Sequence, residues 1–361
     1  MSENVYVVSA AMIPFGKHRN SSYVGLAVSP LIDALHGAGI DKSDVDAVYV
    51  GHSYGGMMTG QRITKEIGLG TVPTVNVDNA CSSGASALHE AWTAISQGLA
   101  DVAVVIGVEK LTQFGGGTLP LSPEDREVGQ GLVMPAVYAM RATRYLYEND
   151  AGVEDLARVS VKARRHGALN PFAQFRQEVT VEEVLAARPV ADPLTLLMCC
   201  PTGDGAAVVV LASQRARDRL GAGRGPGRAI RVAASVLHSG QVEEGFRDMT
   251  KPEISYASAR DAYAQAGVGR LHRHLPIIHL RRRPRPGGHG EHPAHVGGSV
   301  PRARRRRADR RRALRRRRRP AAEQAGAVGD PGVAVRPAAG GGMGRAPRRG
   351  VRSRRLGEKR P

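Results

Sequence analysis

Cys81 lies where a strand-like segment passes into a helix-like one, and a thiol in that position can do nucleophilic chemistry. The residues from Val72 to Val77 predict a strand, and the alanine-rich run from Ser83 to Ser96 predicts a helix. Backbone N–H groups at a helix start lack partners and carry partial positive charge, which favours a thiolate there. We therefore predict that Cys81 is a nucleophile. The alternative is a structural cysteine buried in apolar packing.

The segments around Cys81 alternate between strands and helices. Further strands are predicted at Val5 to Ala10, Val45 to Val50, Asp101 to Gly107 and Asp204 to Leu211. Helical spacing runs from Tyr23 to Gly37, and Pro30 predicts that the helix proper begins at the proline. Because such alternation is typical of βαβ units, we expect an α/β fold with a mostly parallel sheet.

Residues 112–199 interrupt this alternation with a segment richer in charged and aromatic side chains. Helices are predicted at Val153 to His166 and at Val181 to Ala187. The second opens with Thr180 and Glu183 at the spacing of a capping box. We therefore expect an inserted domain between elements of the sheet.

A short internal repeat indicates a duplicated unit. The segment from Leu31 to Gly39 is echoed by the segment from Ala259 to Gly267, and both predict a helix that closes on Ala-Gly. A strand follows the first copy. After the second copy comes an Arg- and His-rich stretch, so the duplication stops within the unit.

The net charge of +19 is divided unevenly along the chain. Residues 1–269 carry 24 Lys and Arg against 28 Asp and Glu, whereas residues 270–361 carry 28 against 5. The basic charge therefore belongs to a tail and does not indicate that the whole protein binds nucleic acid. From Arg304 to Arg319 no aromatic side chain is available for base stacking. We expect a disordered run that binds nucleic acid nonspecifically at most.

The cysteine content predicts no disulfide framework and fits a reducing cytoplasm. Besides Cys81 the chain has Cys199 and Cys200, which precede a predicted strand and favour core packing without metal-ligand spacing. The N-terminal residues Met1 to Val8 predict a strand rather than a signal peptide. No apolar run approaches the roughly 20 residues that span a bilayer, so we expect no membrane partner.

Several motifs together resemble the thiolase family, especially its sterol-carrier-protein and acetyl-CoA acetyltransferase-like members, over residues 4–269. Around the candidate nucleophile they are Asn76-Val-Asp-Asn-Ala-Cys81-Ser-Ser-Gly84 and Val105-Ile-Gly-Val-Glu-Lys110. The remaining motifs are Asn170-Pro-Phe-Ala-Gln-Phe-Arg176, Thr180-Val-Glu-Glu-Val184, Asp192-Pro-Leu194, Cys199-Cys-Pro201 and Asp204-Gly-Ala-Ala207.

The resemblance implies a fold of two similar α/β halves with a loop domain inserted in the first. On this division residues 1–111 and 200–213 form the N-terminal half, and residues 112–199 form the loop domain. The second half begins at 228–269 and is incomplete, and residues 270–361 are a basic low-complexity tail. A homodimer is also expected from the resemblance.

The resemblance further implies an acyltransferase that moves acyl groups between coenzyme A thioesters in lipid metabolism. The thiolate of Cys81 takes the acyl group as a thioester, and a second substrate then removes it. The N–H of Cys81 is a candidate oxyanion donor. Coenzyme A thioesters enter as substrates, and neither a permanent cofactor nor a metal is expected.

The family also uses groups from its second half that this sequence lacks: a Gly-His-Pro histidine, a Cys-x-Gly cysteine, and an Asn or His that positions water. No cysteine follows Cys200, and Glu291-His-Pro293 lacks the glycine. Residues 270–361 contain no Phe, Tyr, Trp, Thr, Asn or Cys, as expected of a GC-rich gene read out of frame. A one-base shift could turn Arg345 to Val351 into a Gly-His-Pro motif. We predict a frameshift near Gly269 and an impaired enzyme.

Three other functions stay open: a non-catalytic or unstable truncated homologue, a partner-dependent lyase that cleaves a β-hydroxyacyl-CoA, and an RNA-binding protein. Among the other polar candidates, Glu109 and Lys110 follow a strand end, where solvation or a structural ion pair is favoured over catalysis. His166 follows two arginines and is interpreted as a solvated helix end, with a contact to a coenzyme A phosphate as the alternative.

Overall fold

A computed structural model describes residues 3–221, 229–240, 250 and 253–268. The strands in these residues are β1 Val5–Met12, β2 Ala47–Gly51, β3 Thr74–Val77, β4 Val102–Lys110, β5 Pro189–Ala191, β6 Leu194–Thr195, β7 Asp204–Ser213 and β8 Ile230–Arg231. The helices are α1 Tyr23–Ala38, α2 Thr59–Glu66, α3 Ser83–Ser96, α4 Arg126–Gly129, α5 Met134–Asn149, α6 Val153–Ala168, α7 Val181–Ala186, α8 Gln214–Leu220 and α9 Glu253–Gln265. Short 3₁₀ turns occur at Lys42–Asp44, Ala80–Ser82, Leu111–Phe114 and Leu196–Met198.

Within the described residues the main sheet has six strands in the order β3-β2-β4-β7-β1-β8. Strand β2 pairs in parallel with β3 and with β4, whereas β7 runs antiparallel to β4 and β1, and β8 runs antiparallel to β1. The prediction of a mostly parallel sheet is therefore wrong. Strand β7 enters the sheet after the long segment that follows β4, and this connection reverses its direction. Mixed sheets of this kind are common in large α/β folds.

Two helices cover opposite faces of this sheet and form its core. On one face α1 packs Leu26, Leu31 and Leu35 with the β4 residues Val104 and Ile106. Alternate side chains of a strand point to opposite faces, so β4 is apolar on both sides. The second apolar face of β4 is the surface against which α3, the helix that follows Cys81, packs.

The second face belongs to α3. Its residues Ala87, Ala91 and Ile95 are buried with Ala103 and Val105 of β4. The small alanine side chains let the helix lie close to the sheet. The bounds predicted for this helix, Ser83 to Ser96, are those of α3.

Helix α1 begins seven residues before the position predicted for it. The structure starts the helix at Tyr23, with the Ser22 side chain accepting a hydrogen bond from the N–H of Gly25 at 3.0 Å. Pro30 lies inside the helix and is buried. The expectation that the helix starts at the proline is wrong because the serine cap and the buried Leu26 already hold the first turn.

The segment between β4 and β7 is largely helical and lies outside the main sheet. The two helices predicted there are confirmed as α6 and α7. The predicted capping box is also present, since Thr180 N–H donates to the Glu183 carboxylate at 2.8 Å and Glu183 N–H donates to the Thr180 hydroxyl at 3.2 Å. Helix α5 was not predicted.

Both copies of the internal repeat end a helix as predicted. Gly39 follows α1 with a φ of 66°, and Gly267 follows α9 with a φ of 67°. Glycine adopts this left-handed conformation without strain. The predicted tail, with its arginine run and the Glu291-His-Pro293 segment, lies outside the described residues. In the part of the chain that the structure describes, no helix has the length and apolar character to cross a membrane.

Candidate active site

Cys81 lies on the 3₁₀ turn Ala80–Ser82, which leads directly into α3 at Ser83. The residue is exposed, so the alternative of a cysteine sealed in apolar packing is wrong. Strand β3 ends at Val77, a few residues before the turn, beside the parallel strand β2. The thiol therefore lies at the carboxyl edge of the parallel strands and at the N-terminal end of a helix, the position predicted from the sequence.

The turn before Cys81 has an unusual backbone conformation. Ala80 has a φ of 47°, in the left-handed region that residues other than glycine rarely adopt. Its N–H donates to the Asp78 carboxylate at 3.1 Å, and its carbonyl accepts a hydrogen bond from the Ser83 hydroxyl at 2.7 Å. The Ser83 hydroxyl also accepts from the Asn79 N–H at 2.8 Å. These bonds offset a conformational cost of about 1–2 kcal/mol.

Gly51 permits the close approach of α3 to the end of β2. A Cβ atom added at Gly51 would lie 2.6 Å from the Gly84 nitrogen and even nearer to the Ser83 carbonyl group. Since both neighbours are backbone, a side chain at residue 51 would push the first turn of α3 away from the sheet. The position of the Cys81 turn thus depends on a glycine in the neighbouring strand.

We predict that Gly51→Ala destabilises the protein by about 1–3 kcal/mol, because overpacked backbone must shift to make room. The same shift should slow alkylation of Cys81. Urea unfolding and peptide-resolved iodoacetamide labelling measure the two effects. Gly70→Ala is the matched control, because a Cβ at Gly70 meets no atom within 4 Å. Equal effects of the two substitutions would contradict the proposed close contact.

Glu109, near the end of β4, contacts the loop that follows β2. Its carboxylate accepts hydrogen bonds from the Ser53 N–H at 2.8 Å and from the Tyr23 hydroxyl. Burial, followed by the hydrogen bond and the negative charge of Glu109, raises the pKa of Tyr23. Burial also raises the pKa of Tyr54, with smaller contributions from the charges of Glu109, Cys81 and Asp78. Glu109 is thus hydrogen-bonded within the fold and is more than a solvated strand end.

Lys110 belongs to a buried polar anchor centred on Asp204. The fully buried Asp204 carboxylate accepts from the Thr112 N–H at 2.8 Å, the Thr112 hydroxyl at 2.6 Å and the His18 N–H at 2.9 Å. The Lys110 ammonium lies 3.9 Å away, which confirms the predicted structural ion pair. Burial alone would raise the pKa of Asp204, but the hydrogen bonds from Thr112 and the charge of Lys110 together lower it.

We predict that Asp204→Asn costs on the order of 2–3 kcal/mol at neutral pH, because charged hydrogen bonds to buried groups are lost. The folded pKa of Asp204 lies below its unfolded value of about 3.9. The stability that the Asp204 carboxylate gives to the fold is therefore fully present above a pH of about 3.9. It is lost as the pH falls through the folded pKa of Asp204. The stability difference from the wild type should shrink below a pH of about 4. Urea unfolding across this pH range tests the direction of this pH dependence. The control is Asp33→Asn, at an exposed residue.

Two expectations for other site candidates have different outcomes. Core packing of Cys199 and Cys200 is wrong: Cys199 is half-buried and Cys200 is exposed, since the segment before β7 runs along the surface. Burial and the neighbouring Cys200 raise the pKa of Cys199. His166 is exposed at the end of α6, as predicted. Among the described residues no group of three or more His, Cys, Asp and Glu is arranged to hold a metal ion.

Helix α6 presents a basic surface. Arg158, Lys162 and Arg165 are exposed, and their spacing places them along one side of the helix. Arg158 is paired with Asp155 at 2.7 Å. The guanidinium of Arg164 lies 4.3 Å from the ring centre of Phe175, an aromatic contact that fixes its direction. This surface can attract anions such as phosphate groups.

Comparison with known proteins assigns the family. The family model described as the N-terminal domain of thiolase matches residues 5–215. The chain is 40% identical over 273 residues to the benzoylsuccinyl-CoA thiolase subunit BbsB of Thauera aromatica, covering 74% of this chain and 70% of that protein. It is 30% identical over 287 residues to human sterol carrier protein 2, covering 73% of this chain and 51% of that protein. The chain belongs to the thiolase family, whose members are acyl-CoA acyltransferases.

The fold supports the same assignment. The solved structure titled Ltp2-ChsH2(DUF35) aldolase matches with a TM-score of 0.63 and 25% sequence identity, covering 73% of this chain and 70% of that chain. The solved structure of human mitochondrial 3-ketoacyl-CoA thiolase in complex with CoA matches with a TM-score of 0.50 and 17% identity, covering 61% of this chain and 67% of that chain. The thiolase fold expected from the sequence motifs is therefore confirmed, together with the resemblance that predicted it.

Proposed function

We propose that this protein transfers acyl groups between coenzyme A thioesters and that Cys81 is the residue that carries the acyl group. The observation that supports this most is the exposed thiol on the turn leading into α3. Family membership supports the reaction class. The division into an N-terminal half (1–111 and 200–213), an inserted loop domain (112–199) and the start of a second half (228–269) remains part of this proposal.

In the first step the Cys81 thiolate attacks the carbonyl carbon of an acyl-CoA. A sulfur–carbon bond forms, and the carbonyl oxygen becomes an oxyanion, for which the N–H of Cys81 is the proposed donor. The intermediate collapses by breaking the bond to the coenzyme A sulfur, which leaves as a thiolate and takes up a proton. The product is an acyl thioester on Cys81.

In the second step an acceptor attacks this thioester and the Cys81 thiolate is released. The acceptor is either the thiol of free coenzyme A or a carbanion formed when a second acyl-CoA loses a proton. Both routes need a group that moves a proton. Because the Gly-His-Pro and Cys-x-Gly motifs are missing from the sequence, we propose that acylation of Cys81 outpaces its release.

The basic surface of α6 is the proposed site for the phosphate groups of coenzyme A. Lys162 and Arg165 are exposed there, and His166 follows at the same helix end. Phosphate binding by cationic side chains is strong when several converge. A substrate that carries several phosphate charges would be held by this surface while its thioester reaches Cys81.

The test uses acetyl-CoA labelled in the acyl group. After incubation with the full chain and denaturation, the protein should retain about one label per chain, and hydroxylamine should remove it because hydroxylamine cleaves thioesters. Label that resists hydroxylamine, or no label at all, would contradict the proposed thioester. Size-exclusion chromatography of the native protein, before denaturation, tests the proposed homodimer.

A second candidate function is a lyase that cleaves a β-hydroxyacyl-CoA together with a partner subunit. The names of two similar proteins favour it, since one is a thiolase subunit and the other is an aldolase named for two components. Its test is cleavage of a β-hydroxyacyl-CoA by the chain alone and with co-purified proteins. Cleavage only with a co-purified protein supports this candidate over acyl transfer.

A further inference from the structure

Glu109 occupies an unusual place for a carboxylate. It is half-buried near the end of β4, a strand whose residues from Val102 to Ile106 are all buried. Strand β2 lies beside it in parallel register, with Gly51 opposite Gly107. A carboxylate at this depth needs donors within the protein, because the apolar strand supplies none from its side chains.

The donors come from the loop after β2 and from the start of α1. One carboxylate oxygen accepts from the Ser53 N–H at 2.8 Å and from the Tyr54 N–H at 3.4 Å. The other oxygen accepts from the Tyr23 hydroxyl. Charge-assisted bonds of this kind are about twice as strong as neutral ones. Glu109 therefore fixes the backbone of Ser53 at the edge of the sheet.

The Ser53 side chain connects this loop to the turn that carries Cys81. Its hydroxyl lies 3.0 Å from the Asp78 carboxylate and 3.2 Å from the Ala80 carbonyl oxygen. The single hydroxyl proton can be donated to either acceptor. One acceptor is the carboxylate that also binds the Ala80 N–H, and the other is the carbonyl oxygen of Ala80. A continuous set of hydrogen bonds thus runs from Glu109 through Ser53 to the residue before Cys81.

We propose that Glu109 is a positioning residue for Cys81, acting through Ser53 to hold the left-handed turn that aims the thiol. The proposal rests on the acyl transfer proposed above for Cys81 and adds a residue to that site. Glu109 itself touches no reacting atom in this scheme. Its carboxylate fixes the loop that contains Ser53, and the Ser53 hydroxyl in turn holds the turn that contains Ala80.

The test compares the labelling of two thiols in the same molecule. Cys81 and Cys200 are both exposed, so Cys200 is an internal reference. Each full-length variant is treated with iodoacetamide, and modification of each cysteine is followed by peptide mass spectrometry. Acetylation of Cys81 by acetyl-CoA is measured separately. Glu109→Gln removes the negative charge that strengthens the hydrogen bonds to the loop N–H groups and replaces the other acceptor oxygen by an amide NH₂. Ser53→Ala removes only the hydroxyl, and Ser53→Thr restores it.

We expect Glu109→Gln and Ser53→Ala each to lower Cys81 modification, relative to Cys200, by roughly tenfold or more, because small displacements of a reacting group slow reaction strongly. Ser53→Thr should restore most of the rate. The double variant should be no slower than the slower single variant, since both break one chain of contacts. Asp46→Asn is the matched control: Asp46 also accepts two backbone N–H groups, from Asp101 at 2.8 Å and Val102 at 2.9 Å, but at the opposite end of β4.

Wild-type labelling ratios in both Glu109→Gln and Ser53→Ala would overturn the proposal. A lowered melting temperature with an unchanged ratio would also overturn it, because that result shows a structural role alone. If Glu109→Gln does not fold, Ser53→Ala decides by itself. A wild-type chain that reacts with iodoacetamide but not with acetyl-CoA would contradict the proposed acyl transfer, while the iodoacetamide ratios would still judge the positioning of Cys81.

Discussion

Replacing Cys81 by serine should lower the release of coenzyme A from acetyl-CoA by at least about a thousandfold. A serine hydroxyl is a weak nucleophile without an adjacent base, whereas the sulfur of a cysteine is intrinsically far more nucleophilic. Removing a covalent nucleophile commonly costs several orders of magnitude in rate. A colorimetric assay of free coenzyme A thiol follows the reaction in the first turnover.

The control for this prediction is Cys200→Ser. Cys200 is exposed like Cys81 but lies in the segment before β7, beyond the 3₁₀ turn at Leu196–Met198. We expect Cys200→Ser to release coenzyme A at the wild-type rate, and both variants to give wild-type circular dichroism. Equal losses in the two variants would show that the reaction needs no particular thiol, contrary to the proposed role of Cys81.

The second large effect concerns turnover. We expect the chain to release about one equivalent of coenzyme A quickly and then to continue roughly 10²–10⁴-fold more slowly, since general acid–base groups contribute that factor. The sequence contains Cys81 but not the Gly-His-Pro and Cys-x-Gly motifs of the second half. Rapid-quench measurements of coenzyme A release resolve the fast and slow phases.

A steady rate equal to the initial rate would contradict the expected slow release and show that the chain supplies its own base. The proposed frameshift near Gly269 has a separate test, the nucleotide sequence of the gene across that codon. Stop codons in the shifted frame before the end of the gene would reject it. An open shifted frame that encodes Gly-His-Pro would support it, and a chain made from that frame should lose the slow phase.

Local signals in the sequence were enough to predict the elements closest to Cys81. Helix α3 follows from an alanine-rich run closed by Gly98, whose φ is 73°. Strands β4 and β7 follow from continuous apolar runs. The position of Cys81 between a strand and the start of α3 was also predicted, because a strand-like run precedes it and the alanine-rich run follows it.

The remaining features depend on contacts between distant residues. The antiparallel direction of β7 is set by the long segment between it and β4, which strand composition does not encode. The hydrogen bond from Ser53 to Glu109 joins residues 56 positions apart. The left-handed Ala80 has no sequence signal, because alanine gains nothing from that conformation by itself. The hydrogen bonds that position the Cys81 turn therefore could not be predicted from the sequence, because they join residues that only the fold brings together.

The role proposed for Cys81 is tested most directly by locating the acyl group after the full chain has reacted with acetyl-CoA. Rapid acid quench, proteolysis and tandem mass spectrometry identify the modified residue. We predict an acetyl thioester on Cys81 and essentially none on Cys199 or Cys200. Acetyl groups spread equally over the three cysteines, or a Cys81 that alkylates readily but never acquires an acetyl group, would contradict it.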